Sequence, residues 1–305
     1  MGFKLTILGS SAAVPTKYRS LSSQALEYNQ TLYLIDCGEG TQLQMLKYEI
    51  KRNRIDHVFI SHLHGDHYLG LPGLINTLSL DGRTKPLYVY APKGLEEYLY
   101  ASIALGYSPG WNFPLHFIEL KENTTQNIFE NNHLTIYSTP LMHRIPTWGF
   151  IFREKKKERN INRDFIKQYA PDFLTIKEIK KGFDFIDNYG NKIENKLITS
   201  DPHPAKSYAY FSDTMFDESL AHSIMGIDAL YHESTFSDFE EELARERFHA
   251  TSRQAATLAK IAGVKRLFLG HISARFLNFT DILEKQAKDV FENSVIVQDG
   301  DEFVI

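Results

Sequence analysis

The sequence predicts an α/β protein with helices packed on sheet faces, and three observations carry that expectation. Short apolar runs alternate with helical patterns along most of the chain. The composition is that of an ordinary globular protein, 43% apolar and 24% charged over 305 residues, which excludes a disordered or fibrous class. One stretch, 153–181, breaks the rhythm with many lysines and no glycine.

Taken in order, FKLTIL (3–8) opens the chain as a strand, with Phe3, Leu5 and Ile7 alternating towards a buried face. That alternation outweighs the loose match of Gly2 and Thr6 to a myristoylation pattern. TLYLID (31–36) is a second strand, and Thr41 to Ile50 places Leu43, Leu46 and Ile50 at helical spacing. HVFIS (57–61) and LYVYA (87–91) are apolar strands. Between them LGLPGLINTLSL (69–80) is apolar on too many faces for a surface helix and is expected to be a buried one. HLTIYST (133–139), WGFIF (148–152), SYAYFS (207–212), ALYHES (229–234) and RLFLGH (266–271) continue as strands. SRQAATLAKIAG (252–263) is an alanine-rich helix stopped by Gly263.

Cys37 is the only cysteine, so an intrachain disulfide and a thiolate zinc cluster are both excluded; it is expected to be a small buried residue. No run of 18 apolar residues is present, and MGFKLTILGS lacks the regions of a signal peptide. A cytoplasmic protein outside the membrane is the expectation. The net charge of −4 argues against a uniformly basic coat for nucleic acid. The average hides a reversal, because 153–181 holds ten basic and five acidic residues. That stretch carries +5 and the remainder −9.

The chemistry concentrates in Ser61-His62-Leu63-His64-Gly65-Asp66-His67, directly after HVFIS. Strand alternation would point His62 and His64 the same way, and a tight turn at Gly65 would bring Asp66 and His67 into the same pocket. Four N and O donors in six residues suit Zn²⁺ or a similar divalent ion, and such crowding points to two ions rather than one. Two ions need further donors where strands end. His143 after LTIYSTP, Asp213 after SYAYFS and His271 after RLFLG stand at such ends, with Asp213 able to bridge. A turn histidine or a helix-capping aspartate is the ordinary alternative for each one singly.

H-x-H-x-D-H with later His, Asp and His donors resembles the metallo-β-lactamase fold superfamily. GLPGLINT (70–77), HEST (232–235), HAT (249–251) and HISARF (271–276) narrow the resemblance to the ribonuclease Z family, which trims the 3′ end of precursor tRNA. It runs through nearly the whole chain, from LGSSAAVPT (8–16) to LGHISARF (269–276). The resemblance implies one domain over 1–305, an αβ/βα four-layer sandwich with two sheets face to face and helices outside. It assigns His62, His64 and His143 to one zinc, Asp66, His67 and His271 to another, with Asp213 bridging. Mn²⁺ could replace Zn²⁺. Asp66 then orients or deprotonates the attacking water. His249 is the general acid that protonates the leaving 3′ oxygen, and Glu233 is its orienting partner. Precursor tRNA is the implied substrate and a homodimer the implied assembly.

In the family an inserted arm grips tRNA, and the +5 segment 153–181 falls in the corresponding interval between His143 and Asp213. Lys155, Lys156, Lys157 and Arg159 are its candidate phosphate contacts. The segment departs from the family's Gly/Pro-rich tip, offering only Pro171 and then Gly182. Ser273 and Arg275, just beyond His271, are candidates for the phosphate being cut. Two other readings stand beside this one. A hydrolase on the same fold would act on thioesters or small phosphodiesters, and an inactive relative would only bind nucleic acid. A basic insert argues against the first and a complete donor set against the second.

Overall fold

A computed structural model describes residues 2–104, 111–121 and 124–305. The chain divides into two compact units. The first comprises residues 1–130, 135–153 and 206–305, and the second residues 131–134 and 154–205.

The first unit holds two seven-stranded sheets. One runs in the order Glu302–Val304, Lys4–Gly9, Ser23–Tyr28, Thr31–Ile35, Ile55–Phe59, Leu87–Ala91, Leu115–Glu119. Its first four strands are antiparallel neighbours, and from Thr31–Ile35 onward the pairing is parallel. The other runs Ser294–Ile296, Leu267–Gly270, Ala229–Glu233, Ser207–Phe211, Thr147–Glu154, Leu134–Leu141, Gln126–Glu130, with its first four strands parallel. The two sheets face each other through aromatic side chains. Phe59 meets Phe150 at 5.3 Å and Phe152 at 5.5 Å, and Phe268 lies 4.2 Å from Phe303.

Helices cover the outer faces, which completes the expected four layers. Leu71, Leu74, Ile75 and Leu78 of the helix Leu71–Leu80 pack with Leu34, Val58 and Val89 of the first sheet. Ala255, Leu258 and Ala259 of Ser252–Ile261 pack with Ala209, Leu230 and Leu267 of the second. Ser252–Ile261 begins on a capping box, in which the Thr251 side chain and Gln254 satisfy each other's backbone donors, and Gly263 ends it at φ 61°. Phe3, Leu5, Ile7 and Cys37 are fully buried, as their patterning implies.

The helix over Thr41–Lys47 departs from expectation. Leu43 and Leu46 are 73% and 71% exposed, while Thr41 and Met45 turn inward. Apolar spacing located the helix but not its buried side. Among the sheet strands that were not legible are Ser23–Tyr28, Leu115–Glu119 and Gln126–Glu130. The first mixes polar residues into buried positions, and the other two are only partly buried.

The second unit is small. Phe165, Ile179 and Ile198 form its core, packed by Ile161, Tyr169, Phe185 and Ile193. Helices Arg163–Tyr169 and Phe173–Lys181 lie within it, with two short strand pairs. It extends past the basic segment to Ala205. Over 154–205 there are eleven basic and nine acidic residues, so the folded unit is less basic than 153–181 alone.

Candidate metal centre

The centre is built where parallel strands of both sheets end. Asp213, Glu233 and His271 emerge together because Ser207–Phe211, Ala229–Glu233 and Leu267–Gly270 run parallel in register, Phe211 beside His232 and Glu233 beside Gly270. From the other sheet comes the stretch after Ile55–Phe59. The expected strand alternation of His62 and His64 does not occur, since the strand stops at Phe59. His64 instead caps the one-turn helix Gly65–Tyr68, and Asp66 and His67 lie on that turn. A helical turn therefore delivers the donors that a tight turn was expected to bring. Gly38 allows its close docking, because a Cβ there would lie 2.5 Å from the Asp66 carbonyl oxygen.

Two donor groups result, each with its ligand atoms within 4.8 Å of one another: His62, His64, His143 and Asp213, and Asp66, His67 and His271. Asp213 joins them. Its Oδ2 faces His62 Nε2 at 3.6 Å and His143 Nε2 at 3.8 Å, while its Oδ1 faces His67 Nε2 at 3.6 Å and His271 Nε2 at 3.3 Å. One carboxylate thus presents one oxygen to each group, the disposition of a bridging ligand.

Four of the five imidazoles, those of His62, His67, His143 and His271, are oriented by a bond to the outer nitrogen, as metal-binding histidines are, while His64 Nδ1 faces His62 and His143. His67 Nδ1 is 2.7 Å from Asp36 Oδ2, His271 Nδ1 is 2.9 Å from Thr235 Oγ1, and His143 Nδ1 is 2.8 Å from the Phe248 carbonyl. His62 Nδ1 is 3.0 Å from Ser61 Oγ. The inner nitrogens are left to face one another. His67 Nε2 is buried with no hydrogen-bond partner, an arrangement that is costly unless a cation completes it. Burial and the neighbouring imidazoles hold His62 well below its ordinary pKa, so it is neutral and able to donate a lone pair. Burial also disfavours charge on His67, yet Asp66, Asp213 and Asp36 outweigh it and push that imidazole upward. All donors are imidazole nitrogen or carboxylate oxygen, and the set fits borderline divalent ions.

Asp36 was not singled out by sequence reasoning. Its fully buried carboxylate accepts from the Ser61 N–H (2.7 Å), the Ser61 hydroxyl (2.9 Å) and the Tyr210 hydroxyl (2.6 Å), besides holding His67. Its place at a strand end in DCGEG was the available signal.

His249 and Glu233 are brought together as expected, with Nδ1 2.8 Å from Oε1. Glu233, with no exposure, also accepts the Thr214 N–H at 3.0 Å, the Thr235 N–H at 3.1 Å and the Thr235 hydroxyl at 2.5 Å. Burial opposes both charges, but the pairing wins: the carboxyl is lowered and the imidazole raised. The His249 ring stacks on His271 at 5.7 Å and lines a cavity of about 480 Å³ with Phe216, Arg245 and Gln254. A ligand atom of His249 also lies within 4.8 Å of Asp213 and His271 donor atoms.

Other candidates are engaged elsewhere. Arg275 donates to Glu240 at 2.9 Å and covers the Phe236 ring, and Ser273 sits at the start of the turn Ala274–Phe276. In the second unit, Arg159 bonds Thr199 at 2.7 Å and pairs with Asp201, and Lys157 lies 3.5 Å from Glu154. Lys155 and Lys156 belong to the same unit.

Comparison with known proteins bears on the whole arrangement. A family model described as Anti-Pycsar protein Apyc1 matches residues 3–167, which include His62, His64, Asp66, His67 and His143 but stop before Asp213. Ribonuclease Z of Parabacteroides distasonis is 42% identical over 298 residues, 98% of this chain and 97% of that protein, so the likeness spans both donor groups. The chain belongs to the ribonuclease Z family. Ribonuclease Z of Bacteroides fragilis is 40% identical over 305 residues, again with 98% and 97% covered. Among solved structures, human tRNase Z, short form, superposes with a TM-score of 0.71 at 25% identity over 99% of both chains. The metallo-β-lactamase fold protein YhfI of Bacillus subtilis, 19% identical with a TM-score of 0.68 and 99% of both chains covered, shares the fold. The family and the His/Asp cluster together indicate use of a divalent metal. Among the described residues no helix is long and apolar enough to cross a membrane.

Proposed function

We propose that this ribonuclease Z family member is an endonuclease that removes the 3′ trailer from precursor tRNA, using two Zn²⁺ ions per subunit. The observation that carries the reading is Asp213, with one carboxylate oxygen facing each donor group, beside the His249–Glu233 pair. His62, His64, His143 and Asp213 would hold one ion, and Asp66, His67, His271 and Asp213 the other. A divalent pair supplies positive charge at the scissile phosphate and makes water acidic enough to ionise at neutral pH.

The chain's own groups do the rest. Asp66, its Oδ2 fixed by the Ala13 N–H at 2.9 Å, orients the attacking water and accepts its proton. The water oxygen bonds to phosphorus, the bond from phosphorus to the tRNA 3′ oxygen breaks, and His249 protonates that oxygen. The products are a tRNA with a free 3′ hydroxyl and a trailer with a 5′ phosphate. Glu233 holds the His249 Nδ1 proton and stabilises the imidazolium.

The second unit, with Lys155, Lys156 and Lys157 on it, contributes affinity for the tRNA polyanion. It also exposes Phe173, Tyr189 and Ile186, surfaces suited to ribose and base edges. The protein is read as cytoplasmic and as a homodimer; light scattering on the purified protein tests the dimer. The function is tested by comparing kcat/KM for a trailer-bearing precursor tRNA with that for a thioester and a chromogenic phosphodiester. The reading requires the tRNA to be preferred by orders of magnitude; a preferred small substrate refutes it.

A further inference from the structure

The loop over residues 10–20 touches the second donor group at two points. Ala13 N–H donates to Asp66 Oδ2 at 2.9 Å, and the loop clamps the residue after His271 on both sides. Ile272 N–H donates to the Ser10 carbonyl at 2.9 Å, and Ala12 N–H donates to the Ile272 carbonyl at 3.0 Å. His271 and Ala13 both take the left-handed backbone region, at φ 52° and 59°, which side-chain-bearing residues adopt only when their surroundings impose it. The chain around Ala13 is over-determined accordingly. Ser11 Oγ donates to the Val14 carbonyl at 2.7 Å, Ser11 N–H to the Ser20 carbonyl at 2.9 Å, and Thr16 N–H to the Arg19 carbonyl at 2.8 Å.

The loop is anchored through a buried charge. Arg19 is only 6% exposed, and its guanidinium donates to Ser10 Oγ at 2.7 Å and to the Val297 carbonyl at 2.6 Å. Ser10 Oγ passes the bond on to Asp299 Oδ1 at 2.8 Å, and Asp299 Oδ2 accepts the Ser20 N–H at 2.6 Å. Both ends of the loop, Ser10 and Ser20, therefore hang on Asp299. A guanidinium committed in this way cannot reach substrate. A buried arginine that ties a loop hydroxyl to a distant backbone carbonyl has a geometric task.

We propose that Arg19 and Asp299 are positioning residues for the Asp66–His67–His271 half of the metal centre, acting through the loop that presents the Ala13 N–H to Asp66 and fixes Ile272. Among the described residues the other half has no such tie. His62, His64 and His143 are oriented by Ser61, by each other and by Phe248. Loss of the anchor must therefore weaken one metal position and spare the other. This rests on the two-ion reading above.

The test is a competitive Zn²⁺ titration against a colorimetric chelator, on the full-length chain, for wild type, Arg19→Met, Arg19→Lys, Asp299→Asn and Ala13→Pro. Wild type takes up two equivalents. In Arg19→Met and Asp299→Asn one equivalent weakens about 10–100-fold, the usual effect of losing an outer support of a metal ligand, and the other is unchanged. Arg19→Lys, which can still donate to Ser10 and Val297, falls between. With precursor tRNA, kcat falls at unchanged KM and recovers with added Zn²⁺. Ala13→Pro, at an exposed position, removes the N–H donor and also the left-handed φ of 59° on which the turn depends, since proline holds φ near about −65°; it must reproduce the one-site loss, which decides the matter if Arg19→Met does not fold. Equal weakening of both equivalents, or wild-type affinities in Ala13→Pro and Asp299→Asn, overturns the inference. A wild type that binds a single equivalent leaves no second position to steady and overturns the two-ion reading with it.

Discussion

Replacing His249 by Ala separates proton delivery from every other part of the chemistry. The tRNA 3′ oxygen is a poor leaving group and departs only with a proton, whereas a nitrophenolate leaves as the anion. General-acid catalysis is worth roughly 10²–10⁴-fold, so kcat on precursor tRNA should fall by that factor, about 3–5 kcal/mol of barrier. On a bis-nitrophenyl phosphodiester it should fall less than about tenfold. Glu233→Gln refines the expectation. The carboxylate accepts four hydrogen bonds and has no exposure, so an amide there turns at least one NH₂ towards existing donors. A buried unsatisfied donor costs about 1–3 kcal/mol, so the variant melts several degrees lower and loses most of the His249 effect as well. Steady-state kinetics on both substrates, with melting curves as control, measures all of this. Equal losses on the two substrates for His249→Ala would refute the assignment and make His249 a metal ligand, as its closeness to Asp213 and His271 would then require.

Three further outcomes follow from the same structure. Asp36→Asn loses the acceptor of His67, Ser61 and Tyr210, and should weaken one of two Zn²⁺ equivalents about 10–100-fold in a chelator titration. Deleting 155–180 should raise KM for precursor tRNA at least tenfold while leaving phosphodiester turnover intact; parallel loss of both means the segment supports the fold. Asp228 accepts from Lys265 at 2.7 Å and from the Ser207 N–H and hydroxyl. Burial works against its charge, but these partners hold the carboxyl below its ordinary range. Its contribution is complete above about pH 4 and disappears as pH falls through the folded-state value, so the melting difference between wild type and Asp228→Asn should shrink between pH 7 and pH 2.

Much of this was legible in the sequence, and the exceptions share a cause. His62, His64, Asp66 and His67 crowd one stretch, and Asp213 and His271 stand at strand ends, so local pattern sufficed to find them. Asp36 was missed because its meaning lies in Tyr210, 174 positions away, and in Ser61 and His67. Arg19 was missed for the same reason, since its partner Val297 lies 278 positions along the chain. Leu43 and Leu46 show the converse error: periodicity gives a helix its faces but not which one meets the sheet. The donor turn at Gly65–Tyr68 fell between, with the right residues but the wrong local geometry, because H-x-H-x-D-H fits an extended strand end and a helix start equally well.

The most direct measurement is the 3′ end left on a trailer-bearing precursor tRNA incubated with the purified protein and Zn²⁺. The account predicts one discrete end at the boundary between the tRNA body and its trailer, carrying a free hydroxyl and abolished by a chelator and by Asp213→Asn. Cleavage spread along the chain, or none with metal present, would contradict it.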